Sequence, residues 1–200
     1  MKLPESYYLG NDVVAISKDL IGKYLFTCID GVTTGGYIVE TEAYNGAADR
    51  ASHAYGNRHT QRTSTMFKQG GISYVYLCYG IHEMFNIVIS VEGLPLAILI
   101  RAIQPTDGIE TMQVRRNMPL LKPTITKGPG SVAKALGISR NINAVSLQSD
   151  VIWLEDRGLT FHGDQIAAGP RVGVEYAKED ALLPYRFYVK GNIYVSKPNK

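Results

Sequence analysis

Residues 96–103 read LAILIRAI, an apolar run broken by one charge, Arg101. So apolar a run belongs to an interior strand rather than to a half-wet edge. An arginine cannot shed its charge there, so it needs a carboxylate or phosphate beside it. The chain must therefore carry an acid into its own interior. Glu40 and Glu42, in the strand-like stretch 32–43, are the natural candidates.

The rest of the chain supplies a sheet for that strand. Residues 23–29 and 32–43 flank Asp30-Gly31, a tight-turn signal, and Gly35-Gly36 inside the second run marks a bulge or bend. Further strand patterns occupy 72–79, 83–91, 151–155, 171–176, 186–190 and 193–196. The last of these complete a core and carry little chemistry. Asn11 or Asp12 caps a helical period formed by Val13, Val14, Ile16, Leu20 and Ile21, with Gly22 as its stop. A second helix follows Thr106, and Gly128-Pro129-Gly130 opens a short one ended by Gly137. The fold class is α+β: a mixed, largely antiparallel curved β-sheet flanked by a few helices. With 200 residues, 45% of them hydrophobic, and no linker or composition shift, residues 1–200 read as a single domain.

Cys28 and Cys78 lie in apolar runs and form no CxxC, which argues against a disulfide framework and a structural zinc site. The N-terminus lacks an apolar signal region, and no run approaches the ~20 apolar residues of a membrane span. The expectation is a protein of the reducing cytoplasm that meets no membrane.

The chemistry concentrates in residues 36–86. Alternation in a strand puts Glu40 and Glu42 on one face, with Glu42 at the strand end beside Tyr44. Six of the thirteen tyrosines fall between Tyr37 and Tyr79, and Tyr74 and Tyr76 share a face. Planar rings beside a basic loop suit the stacking of an unpaired base. That loop carries Arg50, His53, Arg58, His59, Arg62 and Lys68. Tyr79-Gly80 breaks the strand pattern and presents an aromatic at a hairpin tip, where a wedge between base pairs would sit. Residues 111–149 hold Arg115, Arg116, Lys122, Lys127, Lys134 and Arg140 without an acid. The net charge is only +3, so these two local basic segments, rather than the total, suggest a face for phosphates. A buried acid with an arginine partner, stacking rings and a wedge fit an enzyme that takes a base out of a duplex.

The motifs IVETEAY (38–44), the region of His53, Arg58 with Thr60, Met66-Phe67, YVYLCYG (74–80), Asn86, LIRA (99–102), GPG (128–130), RVGV (171–174) and RFYVKG (186–191) resemble the alkyladenine, or 3-methyladenine, DNA glycosylases of the mammalian type. The resemblance spans nearly the whole chain. It implies that Glu42 activates the attacking water, with Arg101 and the His53 main chain helping to hold it. It further implies that Tyr44, His53 and Tyr76 enclose the flipped base and that Asn86 crowds the amino group of normal guanine. Tyr79, with Ile81 and His82, would intercalate. Arg58, Arg62, Lys127, Gly128, Gly130 and Lys134 would meet the DNA backbone. His82 and Ser131 stand where the family pattern has an aromatic residue and a lysine. The implied partner is double-stranded DNA containing damaged purines (3-methyladenine, 7-methylguanine, hypoxanthine or ethenoadenine), bound by a monomer without metal or cofactor.

Two other readings compete. A non-catalytic binder of single-stranded or distorted nucleic acid needs the rings and basic segments but neither Glu42 nor Arg101. A carbohydrate hydrolase using Glu40 and Glu42 fits poorly, because carboxylates on one face leave no second face for an acid.

Overall fold

The computed structural model describes residues 1–197. Eight strands form the sheet: β1 (Tyr24–Ile29), β2 (Val32–Tyr44), β3 (Ile72–Cys78), β4 (His82–Ile89), β5 (Leu96–Asp107), β6 (Ile152–Glu155), β7 (Ile166–Gly169) and β8 (Arg186–Val189). They run in the order β3-β4-β5-β2-β1-β6, with β8 pairing β2 and β7, and all the pairings are antiparallel among the described residues. The α+β expectation holds. The long strands β2 and β5 are the axis of the sheet, pairing along nearly their full length.

Three α-helices, α1 (Val13–Asp19), α2 (Ile109–Arg116) and α3 (Pro129–Leu136), pack on the sheet. Asp12 caps α1 by accepting the Val14 and Ala15 amides, and Gly137, in the left-handed region, ends α3 as its position after the helix predicts. Thr106 continues β5 instead of capping α2, whose N-cap is Gly108.

The pleat of β5 divides its side chains between two environments. Ile98, Ile100 and Ala102 enter the helix-covered core, whereas Ala97, Leu99 and Arg101 line a cavity on the opposite side. In β4 the same rule sends Phe85 and Ile87 to the core and Asn86 to the cavity.

In β2, register shifts at Gly35/Gly36 and on both sides of Glu40 reset the alternation. The first lies where the glycine pair predicts a bulge. Cβ atoms there would approach the Phe26 ring at 2.2 Å and the Gln104 carbonyl oxygen at 2.1 Å. The shifts around Glu40 have no glycine to mark them.

Two expected strands are absent. Residues 171–174 are irregular, with a bend at 172–173, and run into a kinked 3-10 segment, Glu175–Leu182, and residues 193–196 are irregular, with a turn at 193–194 and a bend at 195. Gly173 takes φ +74°, and the Asn192 side chain accepts the Tyr194 amide, so neither stretch extends. The strand in this part of the chain is instead β7.

Candidate active site

The connection between β2 and β3 is not a loose loop. It folds into short 3-10 turns, Gly46–Ala48, Tyr55–Asn57 and Ser64–Phe67, that lie over the cavity face of the sheet and cover Val88 and Ala97 with Ala54 and Met66. Between this cover and the sheet lies a cavity of about 550 Å³. That volume falls within the usual range for small-molecule sites, roughly 300–1,000 Å³. Tyr44, His53, Tyr76, Asn86 and Arg101 all line it.

Glu42 is completely buried, and three donors orient its carboxylate. The Val172 amide donates to Oε1 at 2.7 Å, the Tyr44 hydroxyl donates to Oε2 at 2.9 Å, and Arg101 Nη1 lies 3.3 Å from Oε1. Behind it sits a second fully buried carboxylate, Glu40. Its Oε1 accepts from Arg101 Nε at 2.9 Å, Arg186 Nε at 2.7 Å and Ser196 Oγ at 2.7 Å, and its Oε2 accepts the Ser196 amide at 2.7 Å. Burial alone would raise the Glu40 pKa, but the two guanidiniums and the Ser196 hydrogen bonds outweigh it and hold the carboxyl below the ordinary range. Arg101 thus bridges both acids. The partner demanded by its place in the apolar run is Glu40 and Glu42 together.

Sequence reading missed four contributors. Arg171 is buried and binds Asp49 through both nitrogens, at 2.5 and 2.8 Å, while its guanidinium carbon lies 4.9 Å from the Tyr44 ring. Val172 holds Glu42, and Arg186 and Ser196 hold Glu40. Residues 171–196 therefore carry chemistry, contrary to expectation. The available signals are the motifs RVGV and RFYVKG, which contain Arg171, Val172 and Arg186, and the place of Arg186 before Phe187, Tyr188 and Val189, an arginine beside an apolar strand much as Arg101 is.

The rings are arranged closely. His53 and Tyr76 meet edge to face at a centroid distance of 4.6 Å, and Arg62 lies over the Tyr76 ring at 4.7 Å. Arg62 Nη2 is 3.2 Å from His53 Nε2. Because a guanidinium only donates, Nε2 accepts, and the ring proton is on Nδ1, donating to the Tyr74 hydroxyl at 3.0 Å. Asn86 donates its amide to the Tyr74 carbonyl at 3.2 Å.

Burial, with help from the Arg62 and Arg58 charges, lowers the His53 pKa to about 4. An unfolded imidazole titrates near 6.5, so between about 4 and 6.5 the unfolded chain binds the proton and the folded one does not. His53 therefore stabilises the fold fully above this window, and the contribution is lost as pH falls through it. Urea unfolding at pH 7 and pH 5 should show a smaller difference for His53→Asn than for the wild type; an equal difference would exclude this linkage.

The β3–β4 hairpin carries the exposed residues. Tyr79 and Gly80 both have positive φ, +50° and +74°, and the Ile81 amide bonds the Cys78 carbonyl, as in a type I′ turn. Tyr79 is 88% exposed and Ile81 72%. A tyrosine in the left-handed region costs about 1–2 kcal/mol. Tyr79→Asn, which suits that turn position, is expected to stabilise the protein by about 1 kcal/mol, or about 2–4 °C in melting temperature. A melting temperature below that of the wild type would contradict this.

The remaining basic residues fall into two groups, one on α3 and just before it and one around a second cavity. His82 lies against Gly130, where an added Cβ would come within 3.0 Å of the imidazole, so the hairpin adjoins the start of α3. Gly128 takes φ +102° at the α3 N-cap, Lys127 Nζ donates to the Ile193 carbonyl at 3.3 Å, and Lys134 is exposed on α3. Arg58 joins Arg50 and Arg62 around a second cavity of about 370 Å³.

Comparison with known proteins bears on what this constellation serves. The family described as Methylpurine-DNA glycosylase (MPG) matches residues 7–193. This chain belongs to that family. Among its relatives, a Chlamydia felis protein named "Putative 3-methyladenine DNA glycosylase" is 45% identical over 198 residues, covering 98% of each chain. A Bacillus cereus protein of the same name is 42% identical over 206 residues, covering 98% of this chain and all of that one. In this methylpurine-DNA glycosylase family member, the matched region contains every residue of the site described above except Ser196. No helix among the described residues is long and apolar enough to cross a membrane.

Proposed function

We propose that the protein is a monofunctional DNA glycosylase that flips damaged purines out of duplex DNA and hydrolyses the N-glycosidic bond with water activated by Glu42. The observation that carries this reading is a fully buried carboxylate held by Val172, Tyr44 and Arg101, three residues that themselves line a ring-lined cavity, so that Glu42 sits directly behind its wall. Departure of the purine leaves positive charge on the sugar, which an ionised carboxylate stabilises while taking a proton from the attacking water. Arg101 keeps Glu42 oriented. Alkylation makes the purine a better leaving group, and a cationic base gains attraction from the electron-rich face of Tyr76.

Asn86, buried in the cavity wall, takes the place where a normal guanine's extra amino group would need room, so selectivity comes from exclusion. Tyr79 is the wedge, with Ile81 and His82 beside it, and the exposed position of Tyr79 on a tight turn supports that use. Arg58, Lys127, Gly128, Gly130 and Lys134 face the backbone phosphates, and one protein copy serves one lesion in the compartment that holds the DNA.

The test is single-turnover release of free base from duplexes carrying hypoxanthine, ethenoadenine or 7-methylguanine, with chelator present. Release from at least one of them supports the reading. No release from any, with binding retained, would favour a non-catalytic binder of distorted nucleic acid.

A further inference from the structure

Resting on the glycosylase reading of the cavity, we infer that Arg62 is a gating residue: its guanidinium occupies the Tyr76 face that a flipped purine needs and leaves it for a backbone phosphate when DNA binds. The geometry supplies both positions. Arg62 lies 4.7 Å from the Tyr76 centroid, a planar cation on the ring that would stack the base. Its Nη2 meets His53 Nε2 at 3.2 Å, so it spans the two aromatic side chains. His53 and Tyr76 are in edge-to-face contact at 4.6 Å, so a base that displaces Arg62 from the Tyr76 face must also turn the His53 ring before it can lie between the two.

Arg62 also lines the second cavity, beside Arg50 and Arg58. Arg50 is already paired with Glu179, which leaves Arg58 and Arg62 as the arginines there without an acidic partner among the described residues. The side chain is exposed, and a long flexible stem lets the head move between the two cavities without disturbing the fold. A phosphate offers it a charge-assisted, two-toothed contact stronger than a ring face. Opening of the base site is thereby coupled to arrival of the duplex, and a free purine arriving without DNA must compete with Arg62.

The test uses free ethenoadenine, whose fluorescence reports its binding, with wild type, Arg62→Ala and Arg62→Lys in the absence of DNA. Removing the competitor should tighten binding by about two- to fivefold, as a surface cation–π contact implies. Arg62→Lys, which keeps the charge but loses the flat guanidinium, should bind at least as well as the wild type. NMR titration of the imidazole supplies a second readout: in Arg62→Ala, His53 loses the donor to Nε2 and a nearby positive charge and should titrate at higher pH, yet still below the roughly 6.5 of an unfolded chain, which separates loss of the guanidinium from loss of fold. Equal or weaker purine binding by Arg62→Ala, including no detectable binding up to the solubility of the base, overturns the gate. Wild-type release from lesion duplexes, measured alongside, keeps the two questions apart. Release by the wild type without tighter binding by Arg62→Ala rejects only the gate, whereas absence of release from every lesion rejects the glycosylase reading itself.

Discussion

Glu42→Gln is expected to slow base release about 10³-fold or more, the combined loss of a general base and of a negative charge facing the sugar. The substitution preserves shape. The glutamine oxygen still accepts the Val172 amide and faces Arg101, and its NH₂ group can donate to the Tyr44 hydroxyl, which then changes from donor to acceptor. Affinity for lesion-bearing duplex should stay close to that of the wild type, because the rings and the basic surface are untouched. Single-turnover rates and a binding titration on the same duplex separate the two effects. Release within tenfold of the wild type would remove Glu42 from the role of base and return the cavity to a binding function.

The largest expected loss of stability comes from the neighbouring acid. Glu40→Gln leaves Arg101 with Glu42 alone and Arg186 with no acidic partner among the described residues, inside a cluster whose side chains are nearly all hidden from water. Breaking a buried ion pair by neutralising one partner costs about 3–5 kcal/mol. For a domain of this size each kcal/mol moves the melting temperature by about 2–4 °C, so a drop of about 6–20 °C is expected. Combining Glu40→Gln with Arg186→Met removes one charge of each sign and should recover part of the loss, giving a non-additive double-mutant cycle. Additive losses would mean that Glu40 and Arg186 do not act as a pair. In contrast to Glu42→Gln, the Glu40 variant should retain measurable release at temperatures where it is folded, because Glu40 supports Arg101 without facing the cavity chemistry.

These two glutamates differ in what the sequence allows a reader to infer. Both stand in one strand pattern, two residues apart, and the pattern alone is equally that of a solvated polar face. What separates them is a set of partners from distant segments: Val172 for Glu42, and Arg186 with Ser196 for Glu40. Tyr79 shows the opposite case, since a tyrosine next to glycine between two strand patterns already implies an exposed tip, and the structure adds only its positive φ.

By itself the sequence determined whatever depends on neighbours along the chain. The apolar run around Arg101 required an internal acid, alternation put Tyr74, Tyr76 and the cavity on one side of β3, the glycine pair bent β2, and Asp12 and Gly137 bounded their helices. Such features are fixed by pleat, sterics and the cost of an unpaired buried charge, all of which act locally. Only the tertiary structure decided that Arg101 bridges both acids, that Arg171 supports Tyr44 from beneath with Asp49, and that Arg62 lies on a ring. Those contacts join β2 to residues 59 to 127 positions later, or turn a loop side chain inward. Their energies depend on which segments the sheet order brings together, and no local pattern encodes that order.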